Sequence, residues 1–161
     1  MRHGFLAVCL AIFAVGCSVP GIYLERGFGD SGNTTVVPPG IVLIDKSGHD
    51  LAVDSLKLWV FIIEQGFKSL KECIGESDFP EQALLKVPII LLPPKKLVVF
   101  NEEVNGFTDT SLIFIRSDNF DMNFLRHEWI HIYLWLTGQR FLGDIFHKDP
   151  LFKKCVYIKD Y

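Results

Sequence analysis

Two histidines four residues apart, His127 and His131, bracket Glu128 in the run Phe124-Leu125-Arg126-His127-Glu128-Trp129-Ile130-His131-Ile132-Tyr133-Leu134-Trp135-Leu136. Apart from these polar groups, the run has the composition of a buried helix. Imidazoles at i and i+4 share one helix face and can converge on a single ion. A carboxylate one position after the first histidine lies beside such an ion, within reach of a water bound to it. Buried without partners, the three side chains would strongly disfavour folding, and a cation is the partner that engages all of them at once. The chemistry such a set performs is hydrolysis: the ion acidifies a water, Glu128 takes its proton, and a carbonyl is attacked. The expectation is Zn(2+) as cofactor and a peptide, protein or other amide as substrate.

Catalytic zinc takes three protein ligands and keeps one position open. The stretch Gly143-Asp144-Ile145-Phe146-His147-Lys148-Asp149-Pro150 follows the helix, and chain reversal at Gly138 allows it to return over it. His147 is the first candidate for the third ligand, neutral imidazole being the commonest zinc ligand. Asp144 and then Asp149 are the alternatives. Either carboxylate could instead accept the other N–H of a ligating imidazole and fix its tautomer. Tyr133 and Tyr157 are available for oxyanion stabilisation, although packing is the commoner role for such residues.

The elements that must position these groups are legible in outline. Thr34–Val37 and Ile41–Ile44 are β-branched runs broken by Pro38-Pro39-Gly40, which predicts one or two early strands. Gly48-His49-Asp50 reads as a turn. From Asp54 a helical period carries Leu56, Trp59, Val60, Ile63, Phe67 and Leu70, and Cys73-Ile74-Gly75 closes it in C-cap fashion. Val87–Leu92 and Leu97–Phe100 read as strands, with Pro88 at a start or an edge. Asn105-Gly106 is a turn signal, and Ser111–Ile115 a strand leading into the histidine helix. Ser117, Asp118 and Asn119 offer N-caps and Thr137-Gly138 a stop, so the helix is expected from Asn119 to Leu136. The fold class is α+β: a small mixed sheet with a backing helix and an active-site helix.

With 161 residues, 49% hydrophobic and 13% aromatic, the chain can build one substantial core. The formal charge is −3 and the basic residues are dispersed, with Lys95-Lys96 and Lys153-Lys154 the longest clusters, which argues against a nucleic-acid partner. The N-terminus has a short basic start, Met1-Arg2-His3-Gly4, and an apolar run from Phe5 to Val15 that is too short to span a bilayer. It ends Ala14-Val15-Gly16-Cys17, which resembles a bacterial lipobox with Ala14 where leucine is usual. The resemblance implies cleavage before Cys17, lipidation of Cys17 and anchoring to a membrane of the cell envelope. With Ser18 next, this would be the periplasm-facing outer membrane if the source is Gram-negative. A plain secretory signal cut near Gly16 is the competing reading. The expected organisation is a signal peptide over 1–16, a lipidated Pro- and Gly-bearing tether over 17–33, and a folded domain over 34–161. Cys9 then leaves with the signal and Cys17 carries lipid. Cys73 and Cys155 remain, and in an oxidising compartment they are expected to pair, with Cys155 as a metal ligand the alternative.

On His127, Glu128, His131, Gly143, Asp144, His147, Pro150, Leu151, Phe152 and Cys155, the chain resembles small bacterial lipoproteins of the zincin type, the HExxH metallopeptidases. The resemblance covers roughly residues 105–155, and it implies a minimal zincin-like domain acting as a zinc metallopeptidase. The metzincin spacing of a third histidine is missing, and so is a Glu-bearing helix of the gluzincin kind, which leaves the subclass open. It further implies that Asn105–Asp109 corresponds to the substrate-pairing edge strand, with the strand near Leu112–Ile115 holding an extended peptide. The competing reading is a non-catalytic envelope lipoprotein that keeps the scaffold around a structural metal closed by four protein ligands.

Overall fold

The computed structural model describes residues 22–23, 33–48, 53–94, 97–99, 102–109, 111–139, 144 and 146–156. In chain order the elements are β1 (Ile22–Tyr23), β2 (Asn33–Val37), β3 (Ile41–Asp45), α1 (Val53–Ile74), α2 (Glu81–Leu84), β4 (Ile89–Leu92), β5 (Leu97–Val99), β6 (Glu102–Val104), β7 (Gly106–Thr108), β8 (Ile113–Arg116), α3 (Met122–Leu136) and α4 (Leu151–Cys155). The molecule is α+β, with a small mixed sheet and helices.

The main sheet has the order β2-β3-β4-β8-β7. Its three inner strands run parallel, and antiparallel strands, β2 and β7, close the two edges. Parallel neighbours need a crossover, and α1 with α2 supplies the one between β3 and β4. The crossover from β4 to β8 is made of strands instead: β5 and β6 join β1 in a separate antiparallel sheet.

The period of two along each strand sorts the core into two layers. Ile41, Leu43, Ile89, Leu91, Ile113 and Ile115 face the helices and form one cluster with the buried residues of α1 and α3. On the opposite face Ile90 and Leu92 meet Leu97 and Val99, with Ile44, Phe107, Leu112 and Phe114 packed around them. All four residues of β4 are buried, as a central strand covered on both faces requires. Helix α1 backs α3 at close range. A Cβ on Gly66 would lie 3.4 Å from the Trp129 ring, and Phe67 meets Trp129 edge-on at 5.2 Å.

Several expectations change. Helix α3 starts at Met122, not Asn119, and its N-cap is Asp121, whose carboxylate accepts the Phe124 N–H at 2.8 Å. Ser117–Asn119 forms a 3-10 turn, after which Phe120 is extended and breaks the helix. Bonds from Arg116 to Asp118 and from Asn119 to Asn105 hold that turn. Asn105-Gly106 is no hairpin: β6 pairs with β5 while β7 pairs with β8, so the chain changes sheets there. The strand expected to hold an extended substrate, Leu112–Ile115, is β8. It is paired on both sides, to β4 and to β7, so its backbone groups are used up. The edge is β7, inside the Asn105–Asp109 stretch. Ile22–Tyr23, within the span read as tether, pairs with Val98–Val99 of β5. The apolar leader, Cys17, His49, Gly143 and Tyr157 lie outside the described residues. Among the described residues no helix is long and apolar enough to cross a membrane.

Candidate metal centre

Helix α3 carries His127 and His131 to one face because it packs its other faces into the core. Leu125, Trp129, Ile130, Ile132 and Leu134 are all buried there. His147 reaches the same place from a short turn. The His147 N–H donates to the Asp144 carbonyl at 2.9 Å, and the Asp144 carboxylate accepts the Asp149 N–H. Asp149 in turn accepts the Leu151 N–H at 3.0 Å, at the start of α4. Asp144 and His147 have φ of 60° and 52°. Left-handed backbone at residues other than glycine costs about 1–3 kcal/mol each and persists where surrounding structure enforces it.

The result is a triangle of ring nitrogens. The Nε2 atoms of His127 and His131 are 3.2 Å apart, and that of His147 is 3.1 Å from each. Nitrogens at zinc's ligand distance of about 2.0–2.1 Å in a tetrahedral arrangement lie about 3.3–3.4 Å from one another, close to what these three make. Three imidazoles cannot satisfy one another at such range, since a proton on one nitrogen serves one neighbour and the remaining lone pairs converge. A cation at the centre would resolve this. The three histidines are the group of potential ligands that the structure brings together among the described residues. Neither Asp144 nor Asp149 joins them: both carboxylates are buried and organise the turn that presents His147.

Burial, and then the proximity of His131 and His147, push the pKa of His127 down to about 3. The ring is therefore neutral near pH 7, the form that binds metal. Glu128 is buried, and desolvation pushes its carboxyl up to about 8. It lies outside the ligand triangle, and among the described residues it has no hydrogen-bond or ion-pair partner. A nearby dication would act in the opposite sense, lowering that pKa and favouring the ionised carboxylate. The site is graded in exposure: His131 is buried, His127 half-buried and His147 exposed. One side of the triangle therefore opens to solvent.

Three residues support the site in roles that the sequence reading did not assign. Phe152 is buried, and its ring lies 5.2, 4.7 and 4.9 Å from those of His127, His131 and His147, forming a common floor. Phe124 stacks on His127 at 6.2 Å and 21° between planes. Arg126, fully buried, donates to the Val156 carbonyl, to Ser69 Oγ and to Asn123 Oδ1 at 3.1, 2.8 and 2.6 Å. It thereby ties α1, α3 and the segment after α4 together. A charged residue between Leu125 and His127 gives no local sign of such burial.

Cys73 and Cys155 form a disulfide with a Cα–Cα separation of 5.8 Å, joining the end of α1 to the end of α4. The pairing read from the cysteine count is present, and Cys155 is no metal ligand. Tyr133 sits in the core, its hydroxyl accepting from Gln139 at 3.4 Å.

Comparison of the chain with protein-family models, curated proteins and solved structures gives no match.

Proposed function

We propose that this chain is a zinc-dependent peptidase or amide hydrolase of the HExxH type, built on a minimal zincin-like scaffold. The observation that carries the reading is the triangle of three Nε2 atoms at 3.1–3.2 Å with Glu128 next to it in the helix. A backing helix and the histidine helix on one face of a mixed sheet, with an antiparallel strand at the nearer edge, support the scaffold. No fourth protein ligand joins the three histidines among the described residues, which favours an open position over a closed structural site. The lipobox-like Cys17 and the disulfide fit an exported protein anchored in the bacterial envelope.

His127, His131 and His147 would hold a zinc ion, which would supply Lewis acidity and lower the pKa of a water to about 7. Glu128 accepts the proton of the attacking water and passes it to the leaving amine. Beside a bound dication its carboxyl would be ionised, the form that takes up that proton. Exposed His147 and half-buried His127 leave the open side of the triangle to the substrate, while Phe152 holds the three rings from below.

The test is Glu128→Gln in the full-length chain, assayed by mass spectrometry on a mixed peptide library with zinc content measured in parallel. Loss of general-base catalysis costs about 10²–10⁴-fold, so the variant should keep its zinc and lose cleavage. Unchanged turnover would remove Glu128 from its role. Zinc-loaded wild type that cleaves no amide would point to the non-catalytic lipoprotein.

A further inference from the structure

The third histidine is presented by a short turn that leads into α4. Between the end of α3 and Cys155 the described elements are one hydrogen-bonded turn around Asp144–Asp149 and the five residues of α4. A five-residue helix is far too short to persist by itself. Among the described residues it is fastened by burial of Phe152, Cys155 and Val156 in the main core, by the Cys73–Cys155 bond, by the Arg126 bond to the Val156 carbonyl at 3.1 Å, and by a Lys154 bond to the Cys73 carbonyl at 3.0 Å. The last of these is exposed and contributes little.

Phe152, three residues before Cys155, shares a face of α4 with it. Its ring touches all three imidazoles at 4.7–5.2 Å. The disulfide therefore fixes the residue that fixes the rings, and it also limits where His147 can go.

We infer that Phe152 is a positioning residue for the histidine triangle and that the Cys73–Cys155 disulfide sets the metal affinity through it. The inference rests on the metal-site reading above and adds a redox dependence to it. Two-electron reduction by a dithiol opens the Sγ–Sγ bond, leaving thiols on Cys73 and Cys155 and a disulfide on the reductant. Segment 144–156 then keeps only its non-covalent ties. Removing the groups that orient metal-ligating histidines costs about 10–100-fold in affinity, and a loss of that size is expected here. Linkage requires the converse: each tenfold difference makes the disulfide about 30 mV harder to reduce when metal is bound.

The experiment titrates the full-length, metal-free chain with cobalt(II), whose absorption reports coordination geometry. The proteins are oxidised wild type, phosphine-reduced wild type, the Cys73→Ser/Cys155→Ser variant, and Phe152→Leu with its disulfide intact. Oxidised wild type should bind 10–100-fold more tightly than the other three, whose cobalt spectra should shift from the four-coordinate form while far-UV circular dichroism stays constant. Phe152→Leu keeps the experiment decisive if the disulfide-free forms unfold. Equal affinity and equal spectra in oxidised wild type and Phe152→Leu, or in oxidised and folded reduced wild type, would overturn the coupling and leave the metal site standing. Failure of all four proteins to bind cobalt or zinc would overturn the metal-site reading and this inference with it.

Discussion

Replacing Gly106 by alanine should damage the molecule out of proportion to the single methyl it adds. A Cβ there would lie 2.5 Å from the Phe114 carbonyl oxygen and 2.5 and 2.7 Å from two carbons of the Phe124 ring. The carbonyl belongs to β8, which is paired to strands on both sides, so it cannot retreat without disturbing both ladders. The ring can move, but it stacks on His127. Overpacking of this kind costs about 1–3 kcal/mol, which for a chain of this length lowers Tm by roughly 3–10 °C. Gly66 provides the opposite case. Its Cβ would meet Trp129 at 3.4 Å, an ordinary contact, and alanine gains about 0.5–1 kcal/mol over glycine inside a helix. Gly66→Ala should therefore leave Tm unchanged or raise it by a few degrees. Thermal unfolding followed by circular dichroism, with a metal titration on each variant, checks both. Gly106→Ala should also weaken metal binding through Phe124, and Gly66→Ala should not. A neutral Gly106→Ala, or equal losses in the two variants, would refute the reasoning.

Arg126→Ala should be among the most destabilising changes available, by about 3–5 kcal/mol, because it leaves a cavity and strips a donor from the buried Val156 carbonyl; urea denaturation measures it. The metal-free protein should also show opposed pH terms from the site. Glu128 has a folded pKa of about 8, above its ordinary value, so its contribution is full below about pH 4.5 and lost as pH rises towards 8. His127, lowered to about 3, contributes above about pH 6.5 and loses that contribution as pH falls. In chelator, the stability of wild type minus that of Glu128→Gln should fall with pH by about 1.4 kcal/mol per unit between these limits, and a flat difference would contradict the burial of Glu128.

How much of this was legible in the sequence depended on range. His127 and His131 share a face by local period alone, and the backing helix was visible from Leu56 to Leu70 for the same reason. The cysteine pair followed from count and compartment. Five strands were read close to their observed bounds, but their order and partners did not follow, because pairing is non-local. Asn105-Gly106 has hairpin chemistry, yet Gly106 is a strand residue pressed against Phe114 and Phe124, and its small size is needed for room. Leu112–Ile115, expected to hold an extended peptide, accordingly became an inner strand, while the Asn105–Asp109 stretch expected to be the edge does contain the outer strand β7. Arg126 was unreadable because what buries it, Ser69 and Val156, lies 57 and 30 residues away. His147 was found as a residue type at a workable distance. The turn that delivers it, with two left-handed residues and two buried carboxylates, was not.

The central claim is that His127, His131 and His147 together bind one zinc ion. Zinc stoichiometry of the full-length protein after dialysis, read with X-ray absorption at the zinc edge, tests it most directly. About one zinc per chain is expected, with three imidazole nitrogens at about 2.0–2.1 Å plus one water oxygen, and loss of that signature in His147→Ala. Protein that stays metal-free in excess zinc, or a zinc sphere unchanged by His147→Ala, would contradict it.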